Sequence, residues 1–209
     1  SAKKDVDLIA FFLPQFHAIS ENDRWWGKGF TEWTNTKKAL PAHKTHYQPR
    51  EPHQDFGYYD LSNPETIVRQ AMLAKRSGLS AFCFYHYWFS GKKLLDTPIE
   101  NFRANRDIDL KYCICWANEN WTRTWDGLDG QVLISQDYKD GWEWEFISDI
   151  ASFLIDDRYL RDKGKPILII YKLFSIPTPE QSVFRLKEAA RRKGIGEISV
   201  WAVYDISMG

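Results

Sequence analysis

Cysteine, methionine and net charge are all scarce in this sequence. Three cysteines in 209 residues are too few for a disulfide scaffold, and Cys83, Cys113 and Cys115 all sit in apolar, strand-like runs. Cys113 and Cys115 would share one face of a strand and rarely bridge, and no further ligands at zinc-like spacing accompany them. We read them as buried, reduced thiols, which favours a cytoplasmic protein. Basic and acidic residues number 28 each, so no global field recommends nucleic acid or an anionic membrane as partner. Lys187, Arg191, Arg192 and Lys193 read as the solvent face of a helix. No apolar run reaches the length of a membrane span, and Ser1-Ala2-Lys3-Lys4 is not a signal peptide. Ser1-Ala2 reads instead as a cloning remnant, so residues 1–4 are expected to be partly foreign or flexible, on a trimmed version of a longer protein. Gly27-Lys28-Gly29 lacks the spacing of a phosphate loop. His43-x-x-His46 has no third ligand. No cofactor or metal is expected.

Aromatic residues are abundant: they make up 16% of the chain, with ten tryptophans, inside a hydrophobic content of 44%. That is enough for one substantial core and a single domain over 1–209. Apolar runs at Leu8 to Leu13, Ser80 to Tyr87, Tyr112 to Trp116, Pro166 to Tyr171 and Ile198 to Tyr204 read as strands. Most are continuous rather than alternating, the pattern of parallel strands buried on both faces. Helical segments fall between them. The clearest starts at the N-cap Asn63 with Pro64 first and Gly78 past its end, and Ile67, Val68, Ala71, Met72 and Ala74 fit one face. Others run from about Gly141 to Leu154, with Trp142, Phe146, Ile147 and Ile150 inward, and from Thr178 to Gly194, with Val183, Phe184, Leu186 and Ala190. A shorter one starts at Thr97-Pro98. The alternation predicts an α/β protein with a mainly parallel sheet.

Two links leaving strands are long, Pro14 to Ser62 and Asn118 to Lys139. Structureless loops beyond ~12–15 residues are uncommon unless functional, and both follow the carboxyl end of a strand, where parallel α/β sheets place ligand sites. Trp25, Trp26, Trp33, Trp88, Trp121 and Trp125 all fall in or beside strand exits. The densest stretch, Trp116 to Gly127, holds three tryptophans, two carboxylates, two asparagines and an arginine. Aromatic faces cover the C–H surfaces of a sugar, amides and charges bind its hydroxyls, and carboxyl groups serve chemistry at a glycosidic bond. A carbohydrate ligand is therefore expected. In the first long loop the rings either stack on a ligand or pack on one another as a plug, and both readings can hold for different rings. His86, at a strand exit among aromatics, suits a sugar hydroxyl or a proton transfer, the alternative being a histidine satisfied in the core. Glu119 shares parity with Cys113, Cys115 and Ala117 and is the preferred carboxylate, against a structural ion pair with Arg123. Asp126 reads as a turn residue, and Glu32 is undecided.

Five segments together, Phe12 to His17, Trp25 to Asn35, His46 to Arg50, Phe84 to Phe89 and Cys115 to Trp121, resemble the WbsX-like glycosyltransferases of bacterial surface-polysaccharide and lipopolysaccharide gene clusters. That family is related to the endo-mannosidase barrels of glycoside hydrolase family 99. The resemblance covers essentially the whole chain and implies a TIM-type (β/α)8 barrel acting on glycans, of which about the first five βα units are present. It also implies a later motif, Asn-x-Trp-Asn-Glu-Trp-x-Glu, with the acid/base carboxylates, which these 209 residues lack. The site then comprises Glu119 as a low-ranking catalytic candidate, with Gln15, Trp25, Trp26, Glu32, Trp33, Tyr85, His86, Trp88, Asn118, Asn120, Trp121, Arg123 and Trp125 binding an oligosaccharide or polysaccharide. The alternatives are an endo-acting, mannosidase-like hydrolase and a non-catalytic glycan-binding module. Five strands leave two open sheet edges, which predicts poor stability or self-association.

Overall fold

The computed structural model describes residues 6–123 and 128–204. Along the chain run β1 (Ile9–Phe12), α1 (Ser20–Trp26), α2 (Glu32–Thr36), α3 (Pro64–Arg76), β2 (Ala81–Phe89), β3 (Lys92–Leu94), α4 (Thr97–Ala104) and β4 (Lys111–Trp116). There follow β5 (Trp121–Arg123), β6 (Leu128–Ile134), α5 (Trp142–Leu154), β7 (Arg161–Asp162), β8 (Lys165–Ile170), a 3₁₀ turn (Leu173–Ser175), α6 (Pro179–Arg192) and β9 (Ser199–Ala202). The chain divides into two compact units. One takes in the sheet with β3 and everything described from β4 onward; the other comprises Leu13–Gly78 and Leu95–Asp109.

In the first unit β1, β2, β4, β8 and β9 lie side by side in chain order, every neighbouring pair parallel. This is the mainly parallel α/β sheet that the continuous apolar runs predicted. β3 and β7 add short antiparallel ribbons to β2 and β8. β2 continues to Phe89, beyond its expected end, because Ser90 (φ 44°) and Gly91 (φ 87°) turn it straight back into β3. Both residues take positive φ, as a tight hairpin turn requires.

Strand alternation assigns the two faces of the sheet. His86, Trp88 and Trp116 pack on α5, where the Phe146 ring stacks on Trp116 at 4.4 Å and meets Trp88 edge-on at 5.2 Å. Trp142, Phe146, Ile147 and Ile150 of α5 are all buried, as their helical spacing required. Phe11, Cys83, Tyr85, Cys113, Cys115 and Ile169 lie on the other parity. All three cysteines are free and buried. Tyr85, Cys115, Ile169 and Trp201 form one register row across four strands. The β1 end of this face is open: Phe11 stacks on Tyr85 at 5.3 Å yet remains 54% exposed.

In the second unit the Asn63 side chain accepts from the Glu65 amide at 3.0 Å, with Pro64 opening α3. Ile67, Ala71 and Ala74 are its buried residues. Met72, expected on that face, is exposed, because it sits one residue beyond the i, i+4, i+7 stripe that packing selects. α3 packs against α4. The link Pro14 to Ser62 is not structureless, since it carries α1 and α2. The link Asn118 to Lys139 likewise carries the antiparallel pair β5–β6. Its Thr122, Val132 and Ile134 are β-branched residues that favour a strand. No helix among the described residues is long and apolar enough to cross a membrane.

Candidate functional site

At the carboxyl end of β4 the chain leaves the sheet through Ala117-Asn118-Glu119-Asn120, and the neighbouring β8 leaves through Tyr171-Lys172. Asn118 joins the two exits. Its Nδ2 donates to the Lys172 carbonyl at 2.9 Å and to the Tyr138 hydroxyl at 3.0 Å, and its Oδ1 accepts from the Lys172 amide at 2.8 Å. Only 2% of Asn118 is exposed, so this amide is a clamp between strand ends and not a free ligand group. Asn120 plays a related part, its Oδ1 accepting from the Gln136 amide at 2.7 Å. The Gln136 Nε2 then donates to the Trp88 carbonyl at 2.9 Å.

These bonds frame a cavity of about 330 Å³ lined by Asn118, Glu119, Asn120, Gln136, Tyr138, Lys172 and Ser175. Three amides, two hydroxyls, a carboxylate and an ammonium thus surround one space. The Gln136 Oε1 is buried and has no hydrogen-bond donor among the described residues. Glu119 is exposed. The Lys172 ammonium stands 5.2 Å from the centre of the Tyr171 ring. Among the described residues no group of three or more His, Cys, Asp or Glu side chains is arranged to hold a metal ion.

Tyr85 and Tyr171 meet edge-on at 5.9 Å on the face opposite α5. Burial pushes the Tyr85 phenol up to about 12, with lesser contributions from Cys115, Tyr171, Cys83 and Glu119. The phenol therefore stays protonated at neutral pH, within electrostatic reach of the Glu119 carboxylate. Trp121 is half-buried against Tyr87 at 5.1 Å and Phe89 at 6.3 Å. Tyr85, Asn118, Glu119, Asn120 and Trp121 are thereby gathered in and around the strand ends. Arg123 lies in β5, while Trp125 and Asp126 fall outside the described residues.

Two expected ligand residues are placed differently. His86 is 2% exposed between Phe146 and Phe153, and burial, with a smaller push from Lys93, lowers its imidazole to about 3. It is a neutral core histidine. Trp88 is fully buried, its Nε1 donating to Asp149 of α5 at 2.7 Å. The reason is strand period: residues 86 and 88 point to the helix side, whereas 85 and 87 point away from it.

The aromatic loop belongs to the second unit. Trp33 is its hub, meeting Phe16, Tyr58 and Tyr59 at 4.5–5.2 Å and donating from Nε1 to the Tyr59 carbonyl at 2.8 Å. Trp26 stacks on Phe30 at 5.1 Å with Trp25 edge-on to it. These rings cover one another, the plug reading of the loop. The Gln15 carbonyl accepts from the Glu32 amide at 3.4 Å. Burial raises the Glu32 carboxyl to about 7 and lowers His17 below its ordinary value.

Gln136, Tyr138, Lys172 and Ser175 were not anticipated from sequence. Lys172 was within reach, since it leaves the fourth parallel strand, where the strand-exit rule applies equally. Gln136 and Tyr138 carry no local signal, because only the return of β6 brings them to the cavity.

Comparison with known proteins gives a family and a fold. The family model described as glycosyltransferase WbsX matches residues 8–207. The WxcX protein of Xanthomonas campestris pv. campestris strain B100 is 48% identical over 191 residues, 91% of this chain. The chain spans only 27% of that relative's length. Among solved structures, a glycoside hydrolase-like protein superposes with a TM-score of 0.56 at 15% identity, covering 97% of this chain and 52% of its own. That likeness concerns the fold. The GH99 endo-alpha-mannosidase from Bacteroides thetaiotaomicron gives 0.45 at 13% identity, over 81% of this chain and 46% of the other. By the family match across nearly its whole length, the chain belongs to the glycosyltransferase WbsX family.

Proposed function

We propose that the cavity at the ends of β4 and β8 binds a sugar unit, in a protein that forms glycosidic bonds of bacterial surface polysaccharide or lipopolysaccharide. The observation that carries this is the cavity's wall of three amides, two hydroxyls, one carboxylate and one ammonium. A sugar hydroxyl both donates and accepts, and such a mixed wall matches it where a uniformly charged or apolar wall does not. Glu119 accepts from a hydroxyl beside the reacting bond, Lys172 and Asn120 donate, and Tyr85 and Trp121 flank the ring. Asn118 sets the spacing of the strand ends that hold these groups. Membership of the WbsX family supports transfer, while the same site serves an endo-acting, mannosidase-like hydrolase or a lectin-like module.

The fold supports a wider reading. Among the described strands β1 and β9 each have a parallel neighbour on one side only, and the sheet face carrying Phe11 is open. We read the five strands as the first five of a (β/α)8 barrel, a cytoplasmic glycan enzyme whose partner is a glycan and not nucleic acid. Isolated, these strands would associate through their edges.

The test is turnover by the full-length protein on α-mannoside-like oligosaccharides, with and without an activated sugar donor. Turnover only with donor supports transfer, turnover without it supports hydrolysis, and saturable binding alone supports a lectin. Failure of every glycan to bind would overturn the reading.

A further inference from the structure

A second concave surface lies on the outer side of the first unit, where α5 packs against α6. This groove, of about 290 Å³, is lined by Gly141, Glu143, Trp144, Phe184, Arg185, Glu188, Ala189 and Arg192. Two large rings stand open at it: Trp144 is 45% exposed and Phe184 63%. Phe184 lies on α6 with Leu186 and Ala190. Those two are buried, and Phe184 is turned out beside the groove instead. Exposing an aromatic ring forgoes burial worth roughly 1.5–3 kcal/mol. Two rings bordering one groove mark a surface that does something.

The polar groups say what. Glu143 is buried at the start of α5, and its Oε1 makes no hydrogen bond among the described residues. The Arg185 guanidinium stands 3.6 Å from that oxygen, beyond hydrogen-bonding distance, with 59% of its side chain exposed. Glu143 thus fixes the guanidinium by charge while leaving its N–H donors for an occupant. The lining charges balance, Glu143 and Glu188 against Arg185 and Arg192, and Arg192 lies 3.8 Å from Glu188. A groove with no excess charge selects neither an anion nor a cation. The Lys193 ammonium stands 4.8 Å from the Trp144 ring centre, a contact that holds the indole beside the groove.

We propose that this groove is a second glycan-binding site, taking one pyranose ring of a neutral, hydroxyl-rich polymer away from the strand-end cavity. Trp144 and Phe184 cover the C–H faces of the ring. The oriented Arg185 guanidinium donates to neighbouring hydroxyls, as a planar fork of donors suits a vicinal diol. Such a site retains a long chain at the protein surface, and each further attachment multiplies apparent affinity through effective concentration. It does not depend on the cavity being catalytic.

The test is a titration of the full-length protein, labelled with 5-fluorotryptophan, with mannotetraose and cellotetraose to about 20 mM, following the ¹⁹F signals of the indoles. The Trp144 signal, assigned through Trp144→Ala, is expected to move saturably with at least one of the two. Arg185→Ala and Phe184→Ala, both at exposed positions, should weaken that isotherm at least fivefold. Glu119→Gln should leave the Trp144 isotherm in place even where it abolishes binding at the cavity, which separates the two sites. A Trp144 signal unmoved by either oligosaccharide, or an isotherm unchanged in Arg185→Ala and Phe184→Ala, would overturn the proposal.

Discussion

Replacing Asn118 by alanine should loosen the joint between the two strand exits that frame the cavity. The amide makes three hydrogen bonds, at 2.8, 2.9 and 3.0 Å, to the backbone amide and carbonyl of Lys172 and to the Tyr138 hydroxyl. Each is worth about 1 kcal/mol net, and a buried partner left unmatched costs about 1–3 kcal/mol. Tyr138 is half-buried and can turn toward the space vacated. The two Lys172 groups are tethered to the backbone and have no such freedom. We expect a loss of about 3 kcal/mol. For a urea slope of about 2 kcal/mol per molar, the unfolding midpoint falls by roughly 1.5 M. The assay is equilibrium urea unfolding followed by tryptophan fluorescence, with Asn118→Asp as companion. The aspartate variant keeps the acceptor for the Lys172 amide but turns a carboxylate oxygen toward the Lys172 carbonyl, so it too should destabilise. A midpoint within about 0.3 M of wild type for the alanine variant would refute the clamp.

Glu119→Gln, at an exposed position, should leave the urea midpoint unchanged while weakening glycan binding or turnover at least tenfold; unaltered binding and rate would remove Glu119 from the site. Phe146→Ala strips the ring that packs on Trp116, Trp88 and His86 and should cost about 3–5 kcal/mol, read as a lowered unfolding midpoint. Glu32 adds a pH dependence. Burial holds its folded pKa near 7, above its ordinary value of 4.5. Between those two values the unfolded chain gives up a proton that the folded one keeps. Its contribution to stability is therefore intact below pH 4.5, declines as pH rises, and is lost above about 7. Glu32→Gln should flatten that part of the curve and stabilise the protein at pH 8 relative to pH 5. Parallel wild-type and variant curves would show that the carboxyl is not buried. His86 acts at the other end: its folded pKa is lowered to about 3, so stability present above its ordinary value of 6.5 is lost as pH falls toward 3. His86→Phe should diminish that acid loss, as measured by the unfolding midpoint at pH 4 and 7.

Much of the candidate site was legible because strand ends are marked locally. An apolar run that stops at Asn118-Glu119-Asn120 announces both a buried strand and an abrupt change of chemistry. Tyr85 and Trp121 were named as candidates in the same way. The errors at His86 and Trp88 came from composition outweighing period: both stand at a strand exit among aromatics, yet alternation sends even-numbered residues of β2 toward α5. Met72 failed for a related reason. An apolar residue at helical spacing can face inward only if another element is there to receive it, and the chain alone does not say which stretch of a helix is covered.

The sequence by itself determined the principal elements: five apolar strands, most of them continuous, the capped start of α3, the inward face of α5, balanced charge, and the family to which the chain belongs. These are local or cumulative properties, written in periodicity and side-chain type. Only the tertiary structure decided which exits meet. Gln136 and Tyr138 reach the cavity because β6 runs back along β5, and Lys172 reaches it because β8 lies directly beside β4. Asn118 became a clamp once the Lys172 backbone came within 3 Å of its amide. Such juxtapositions join residues dozens of positions apart, and their energy resides in pairs, so no single stretch of sequence carries their signature.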